Sequence, residues 1–422
     1  MQTLTPPFLS VAFIRTLVHT YTLFKGDPRC SYRSLFNAAR HAVCEDKPVR
    51  HDRKLVYTSF LPPLPSRAAQ RAIESTDATH GLFEGFVTGR RLAPISMYVA
   101  VTGRCPYRCA HCSAAGLHEG QELDTAAMKK ILGDVQNMGT AIIGLTGGEP
   151  LTRADLAELI ASVDDRSVTY LFTSGFGMTP KKARELKRAG LFAVGVSLDS
   201  ADAAFMDARR GATGAHERAV AAVRYCREAG LYTMTQTVAE RETLGSGRLQ
   251  EVVAFSEAIG AHEVRILESM PSGRLAKIDP NRILTAQERD ALRKFHAETN
   301  RRKNGIKVAV FAHTESADRF GCGAGTQHSY IDAAGNLFPC DFVPLSFGNV
   351  LERPVAELWR EMHRLIGKPR QTCMVMELYA KQLLAHTCTL PVSPAVSTQI
   401  VGGLSPETEM PGFYRRALGA QK

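Results

Sequence analysis

The chain of 422 residues is too long for one ordinary domain and long enough for two or three. Hydrophobic residues make up 44% of it and charged residues 22%, which excludes a disordered chain, a collagen and a coiled-coil rod. Its 52 lysines and arginines outnumber its 42 aspartates and glutamates, so the formal charge is +10. That charge forms no dense basic stripe with interleaved aromatic residues, so we expect no nucleic-acid partner.

The cysteine content points to a reducing compartment. The sequence contains no apolar run of membrane-spanning length and no recognisable secretory signal, so we expect a cytoplasmic protein. Ten cysteines in a chain of this length are too few for a disulfide-dense scaffold. Clustered cysteines in such a protein more often bind metal or take part in chemistry than form disulfides.

Residues 1–94 form the first predicted unit, a basic and mostly helical N-terminal extension. An apolar segment at 8–24 places Val11, Ile14, Val18 and Tyr21 on one helical face. We interpret it as an amphipathic helix packed on the rest of the protein. The alternative is an interfacial helix that makes a peripheral membrane contact or binds a partner.

Residues 95–300 form the second predicted unit, in which short apolar strands alternate with amphipathic helices. The predicted strands are 96–102, 141–146, 168–173, 193–197, 231–237 and 263–267. The predicted helices between them are 125–138, 153–163, 179–189, 216–229 and 247–259. This alternation indicates an α/β fold with a parallel sheet, which we interpret as a partial (β/α)6 TIM-like barrel. Ligands in such folds bind at the carboxyl ends of the strands.

Residues 301–422 form the third predicted unit, which is rich in Gly, Pro and Cys. Segments 329–332 and 336–338 predict a hairpin that turns at Gly335, and a short helix is predicted at 413–418.

Three cysteines directly follow the first predicted strand, at Cys105, Cys109 and Cys112, in the pattern C-x3-C-x2-C. Three thiols this close together can converge on one metal centre. A structural zinc site and a four-iron cluster normally take four protein ligands, so three leave one position open for a reacting ligand. A zinc site closed by His111 or His118 is the alternative.

This cysteine pattern after the first strand of a barrel resembles the radical S-adenosylmethionine (radical SAM) superfamily, although His111 stands where many members have an aromatic residue. The resemblance implies a [4Fe–4S] cluster on the three cysteines, with S-adenosylmethionine (SAM) at the fourth iron. It also implies reductive cleavage of SAM to a 5′-deoxyadenosyl radical that abstracts hydrogen from a substrate. A reductant such as ferredoxin or flavodoxin would supply the electron.

Further motifs follow the later strands in the order found in this superfamily. They are Gly147, Gly148, Glu149 and Pro150 after the second strand, Thr173 and Ser174 after the third, Ser197 and Asp199 after the fourth, and Arg210 beyond it. The resemblance implies that the Gly-Gly-Glu-Pro segment receives the SAM amino group and that the polar residues contact its ribose and methionine parts. Arg210 would pair with the SAM carboxylate. A Pro-x-Gly-Arg segment at 271–274 also matches.

A second cysteine set begins with Cys322 and Cys340, which enclose Gly335 in the pattern C-x12-G-x4-C. Downstream of a radical SAM barrel, this pattern resembles the SPASM or twitch extension, which holds auxiliary [4Fe–4S] clusters. A zinc-stapled or clusterless extension is the alternative.

The remainder of this extension is degenerate. Met376, Gln382 and His386 stand where a full SPASM extension has cysteines after Cys373. Since Met, Gln and His are not a usual iron–sulfur ligand set, we infer that one auxiliary cluster is missing. The count and order of the cysteines suggest that a single auxiliary cluster is held by Cys322, Cys340, Cys373 and Cys388, with His386 as a substitute ligand.

The sequence therefore predicts a radical SAM oxidoreductase or maturase that acts on a peptide or a small molecule, with one auxiliary cluster assisting electron transfer. A catalytic side chain is not identified. Residues 1–94 show one convincing strand, at 55–60, so they lack the β-rich pattern of a peptide-binding domain. Cys226 is predicted to be packed in a helix. A zinc-binding protein without enzymatic activity, which binds nucleic acid or another partner, is the competing class.

Overall fold

A nine-stranded sheet is the centre of the computed structural model, among the residues that it describes. These are 46–76, 84–87, 91–116, 122–302, 304–384 and 390–418, with five positions before residue 46. The predicted helix at 8–24 lies outside them apart from two positions, and so do His118, His386 and Cys388.

Six parallel strands in chain order form the core of the sheet. They are β3 (Ser96–Thr102), β4 (Ile142–Gly147), β5 (Val168–Thr173), β6 (Ala193–Ser197), β7 (Tyr232–Ala239) and β8 (Glu263–Glu268). All six predicted strands are confirmed within two residues at each end. Most of their residues are buried, as expected for parallel strands that helices cover on one face. The α/β fold with a partial barrel is therefore confirmed.

The sheet extends beyond the predicted strands at both edges. On one side, β9 (Lys307–Val310) adds a parallel strand beside β8. On the other side, β10 (His328–Ile331) pairs in parallel with β3, and β11 (Leu337–Phe338) closes the predicted hairpin. The start of the third predicted unit is therefore part of the same sheet as the barrel.

The first described elements are a short hairpin, β1 (Val49–His51) and β2 (Lys54–Val56), followed by α1 (Arg67–Glu74) and α2 (Glu84–Val87). The predicted strand at 55–60 is shorter than expected and pairs within this hairpin. Lys307, on β9, is 1% exposed and ties the hairpin to the sheet by donating from Nζ to the carbonyl oxygens of Val56 and Tyr57. The same ammonium forms a buried ion pair with Glu263 at 3.2 Å.

Thirteen further helices follow in the described residues, and five of them lie within one residue of the bounds predicted at 125–138, 179–189, 216–229, 247–259 and 413–418. The thirteen are α3 (Thr125–Met138), α4 (Leu156–Ala161), α5 (Pro180–Arg188), α6 (Ala203–Arg210), α7 (Ala215–Glu228), α8 (Arg241–Gly245), α9 (Arg248–Ala258), α10 (Ala286–Asn300), α11 (Phe311–Thr314), α12 (Val355–Ile366), α13 (Met374–Ala380), α14 (Pro394–Gly402) and α15 (Gly412–Leu418). Asp124 caps α3 by accepting from the Ala127 amide, and Gly139 ends it in the left-handed region. Helix α4 is shorter than the predicted 153–163, and a separate 3-10 turn over Pro150–Thr152 precedes it.

The barrel and the third predicted unit share one hydrophobic core. Trp359 on α12 is fully buried within it, and its indole N–H donates to Ser329 Oγ on β10 at 3.1 Å. This packing holds the second cysteine set against the barrel. None of the helices in the described ranges combines the length and the apolar character needed to cross a membrane.

Candidate active site

The three cysteines of the loop after β3 line one cavity of about 640 Å³ at the carboxyl ends of the strands. Cys105 is the most accessible of them, yet the surrounding protein and the nearby Glu149, Cys109 and Cys112 raise the pKa of its thiol to about 11. A thiol whose ionisation is disfavoured in this way is well suited to a bound cation, which stabilises the thiolate form.

The spread of these sulfurs distinguishes a cluster from a single zinc ion. Two sulfurs that each lie about 2.3 Å from one zinc cannot be more than about 4.6 Å apart. In the part of the chain that the structure describes, no set of three potential metal ligands within 4.8 Å of one another contains Cys105, Cys109, Cys112 or His111. The donor set therefore fits an iron–sulfur cluster better than zinc.

The Gly-Gly-Glu segment after β4 holds the start of the cysteine loop. The Gly148 amide donates to the Thr102 carbonyl at 2.8 Å, and the Glu149 amide donates to the Arg104 carbonyl at 2.7 Å. A Cβ atom at Gly147 would lie 2.2 Å from the Thr102 oxygen, and one at Gly148 would lie 2.2 Å from the Arg104 oxygen. Both glycines are therefore required for the close approach of these two backbone segments.

We predict that Gly148→Ala disrupts the loop. The new methyl group would meet a backbone oxygen, which cannot move without shifting the cysteines. We expect at least a tenfold loss of 5′-deoxyadenosine formation, about 1.4 kcal/mol in the barrier, and a lower iron content after anaerobic reconstitution.

Gly133→Ala is the matched control, because a Cβ there meets nothing within 4 Å and the residue lies inside α3. It should leave the iron content unchanged and stabilise the fold by up to about 1 kcal/mol. Equal iron content in both variants would contradict the role of Gly148.

Two further segments hold the rest of the loop. The amides of Arg108 and Ala110 donate to carbonyl oxygens at the end of α6, at 3.1 and 3.0 Å. Arg274, in the predicted Pro-x-Gly-Arg segment, donates from its backbone amide to the Cys112 carbonyl at 3.0 Å and from Nη1 to the Cys109 carbonyl at 2.6 Å. The Pro-x-Gly-Arg motif at 271–274 did not by itself predict that Arg274 would hydrogen-bond to the cysteine loop.

Glu149 connects the ends of two strands. Its carboxylate accepts from Thr173 Oγ1 at 2.6 Å, from the Ser174 amide at 2.7 Å and from Ser174 Oγ at 2.5 Å. Burial raises the pKa of Glu149, and these hydrogen bonds oppose that effect. All three residues line the cavity, as does Ser197 at the end of β6, whereas Pro150 is buried in its 3-10 turn and does not.

Arg210 and Asp199 form a buried ion pair, with 2.7 Å between Arg210 Nε and Asp199 Oδ2. His111 Nε2 lies 3.6 Å from the same carboxylate oxygen, and Arg210 Nη1 lies 3.7 Å from Cys109 Sγ. Burial opposes ionisation of Asp199, but Arg210 and neighbouring positive charges outweigh it and hold its pKa below the usual range. Burial lowers the pKa of His111 to about 4, so its ring is neutral near pH 7. Sequence reasoning did not foresee that these predicted SAM contacts pair with each other.

Two cysteines of the second set lie close together, with a carboxylate beside them. The thiols of Cys322 and Cys373 are hydrogen-bonded to each other, which lowers the pKa of Cys322 to about 7 and raises that of Cys373. Glu315 offers a carboxylate oxygen within 4.8 Å of both sulfurs, a feature that the sequence did not reveal. Burial raises the pKa of the Cys340 thiol, and the nearby Cys322 raises it further. Cys340 also lines the same cavity as the first cysteine loop.

Comparisons with known proteins agree with this geometry. The model of the Radical SAM superfamily matches residues 99–243, and the model of the SPASM iron–sulfur cluster-binding domain matches residues 322–374. The AdoMet-dependent heme synthase of Nitratidesulfovibrio vulgaris is 30% identical over 285 residues, which cover 62% of this chain and 77% of that protein. The chain belongs to the radical SAM superfamily. The PqqA peptide cyclase of Gluconobacter oxydans is 32% identical over 279 residues, covering 63% of this chain and 76% of the cyclase.

A solved structure shows the same fold. Streptococcus suis SuiB bound to the precursor peptide SuiA superposes with a TM-score of 0.55 at 16% identity, covering 64% of this radical SAM chain and 65% of SuiB. The chain thus spans slightly less than two thirds of SuiB. Family membership makes this protein an enzyme that uses SAM and iron–sulfur clusters, and the alternative of a zinc protein without enzymatic activity is set aside.

Proposed function

We propose that this enzyme cleaves SAM reductively and abstracts a hydrogen atom from an unactivated carbon of a peptide or small-molecule substrate. When bound, the [4Fe–4S] cluster and SAM supply the 5′-deoxyadenosyl radical. The observation that carries the proposal is that Cys105, Cys109 and Cys112 line one large cavity at the carboxyl ends of the strands, in a loop held by the Gly-Gly-Glu segment.

The surrounding residues position SAM in this proposal. Cys105, Cys109 and Cys112 hold three irons, and the Gly147–Pro150 segment faces the amino group. Arg210 pairs with the SAM carboxylate while it keeps its contact with Asp199, since a guanidinium offers five donors. Thr173 and Ser174 act through Glu149, whose carboxylate they hold in place.

The second cysteine set holds one auxiliary cluster in this proposal. Cys322, Cys340 and Cys373 supply three thiolates and Cys388 the fourth. Because Cys340 lines the substrate cavity, an auxiliary cluster there is well placed to accept an electron from the substrate. Ferredoxin or flavodoxin supplies the electron for SAM cleavage, and the unpaired thiols favour a reducing compartment, which we take to be the cytoplasm.

The substrate class is supported from two directions. Similarity to PqqA peptide cyclases and the shared fold with a peptide-bound SuiB support a peptide. Similarity to AdoMet-dependent heme synthases supports a small molecule. A peripheral membrane contact through residues 8–24 would favour a lipid-like precursor.

Anaerobic reconstitution tests the proposed function. With dithionite and SAM, the brown enzyme should form equal amounts of 5′-deoxyadenosine and methionine, which liquid chromatography with mass spectrometry quantifies. Colourless protein with stoichiometric zinc, or a reduced iron-loaded enzyme that never forms 5′-deoxyadenosine, would overturn it.

A further inference from the structure

Arg265, on β8, is a buried arginine of the active-site cavity that lacks an acidic partner among the residues the structure describes. It is 1% exposed, and its guanidinium donates only to neutral groups, from Nη1 to Gln236 Oε1 at 3.1 Å and from Nη2 to Tyr98 Oη at 3.3 Å. Its Nε has no hydrogen-bond partner. A buried charge without a counter-ion is costly, so Arg265 is a candidate for binding an anionic ligand.

Three phenylalanine rings surround this guanidinium. Its central carbon lies 5.4 Å from the ring centre of Phe60, 4.8 Å from that of Phe172 and 5.3 Å from that of Phe311. The rings attract the cation and offset part of the cost of its burial. The rings do not neutralise the charge, and the Nε–H group remains without an acceptor. Arg265 therefore places a positive charge in the cavity wall, surrounded by aromatic side chains.

The position of Arg265 relates it to the cysteine loop. Both line the same cavity, but Tyr98, the contact of Arg265, lies well inside β3, whereas the cysteine loop begins beyond the end of that strand. A molecule that spans this cavity would therefore place one end at Arg265 and another part at the cysteines. The positive charge of Arg265 lowers the pKa of Glu315, against the larger effect of burial, which raises it. Glu315 forms no ion pair with Arg265 and lies beside Cys322 and Cys373.

We propose that Arg265 binds a carboxylate of the substrate, which makes the substrate a carboxylic acid with an apolar body. The acid is either a free small molecule or an acidic residue of a peptide. The inference rests on the proposed function, because it assumes that this cavity receives the substrate. A carboxylate matches the single planar fork of donors. A phosphate dianion would call for a second cation or a nest of backbone amides, and Arg210, the other buried arginine of the cavity, already pairs with Asp199.

Probe binding tests the proposal without requiring SAM cleavage. Isothermal titration calorimetry would use the anaerobic, unreduced holoenzyme saturated with SAM, so that Arg210 is occupied and SAM is not consumed. The probes are 3-phenylpropionate and a blocked Phe-Glu-Ala tripeptide, each compared with its uncharged carboxamide. We expect the Kd of each acid that binds to be at least tenfold lower than the Kd of its amide. If 3-phenylpropionate binds more tightly than the peptide, the substrate is a free acid, and if the peptide binds more tightly, the substrate is a peptide.

Three variants locate the effect. Arg265→Met should abolish the preference for the acid, and Arg265→Lys should keep part of it because the charge remains without the fork. Arg184→Met, on the exposed face of α5, removes a positive charge outside the cavity and should keep the full preference. The apparent Tm of Arg265→Met should be unchanged or higher, because no ion pair is lost.

Several results would overturn the proposal. These are equal binding of acid and amide to the wild type, no binding of either acid, and an unchanged preference in Arg265→Met. Tighter binding of inorganic phosphate than of both acids would also overturn it. A large fall in Tm for Arg265→Met with unchanged probe binding would assign Arg265 a structural role. If SAM cleavage fails while the acid preference depends on Arg265, the proposed function fails and the anion site stands.

Discussion

Replacing Cys105, Cys109 and Cys112 together with alanine is expected to lower 5′-deoxyadenosine formation about a thousandfold or more, to the detection limit. The reason is that the difficult chemistry belongs to the cofactor that these thiols are proposed to hold. The same variant should retain about four irons on the second cysteine set. Iron and sulfide analysis, together with product quantification, measures both effects.

Cys226→Ala is the control for the loss of thiols as such. Cys226 is fully buried in α7, as predicted, and packs in the main core away from the cavity. We expect full iron content, undiminished SAM cleavage and a stability loss of about 1 kcal/mol. If the triple variant still forms 5′-deoxyadenosine, or if Cys226→Ala loses as much iron, the assignment of the first cluster is wrong.

Replacing Cys322, Cys340 and Cys373 together with alanine is expected to remove about four irons of roughly eight. Since the three thiols lie on separate segments of the chain, loss of the metal that joins them should also lower the apparent Tm by about 10 °C. Formation of 5′-deoxyadenosine should persist, because the first cysteine loop is held by other segments. Iron analysis, electron paramagnetic resonance and thermal unfolding provide the measurements.

Two single variants identify the fourth ligand of this second cluster. Loss of its iron in Cys388→Ala but not in Glu315→Gln would assign Cys388, and the reverse result would assign the nearby carboxylate of Glu315. Unchanged iron in the variant that lacks Cys322, Cys340 and Cys373 would show that no auxiliary cluster is present.

Local patterns were sufficient for much of the barrel. The strands over Ser96–Thr102, Val168–Thr173 and Ala193–Ser197 and the helix over Thr125–Met138 have the predicted bounds. They are marked by continuous apolar runs, amphipathic periodicity and cap residues, all of which act over a few neighbouring residues. The C-x3-C-x2-C spacing likewise indicated a three-thiol centre, because ligands this close in sequence lie in one loop.

Side-chain partners were decided by the tertiary structure. Arg210 was predicted to pair with the SAM carboxylate, and the structure shows that it also forms an ion pair with Asp199. The glycines before Glu149 are required by the backbone of the cysteine loop. Such contacts depend on which strand ends lie side by side, and that order follows from pairing between residues distant in the chain.

The amino-acid sequence by itself determined the family and the alternation of strands and helices, since both are written in short-range patterns, and it predicted the cysteines that we propose as cluster ligands. Only the tertiary structure decided that β10 pairs in parallel with β3, that Cys340 therefore lines the same cavity as the first cysteine loop, and that Arg265 is buried among three aromatic rings. Strand register sets the direction of every side chain in a sheet, and register is fixed by long-range hydrogen bonds and packing that no local pattern encodes.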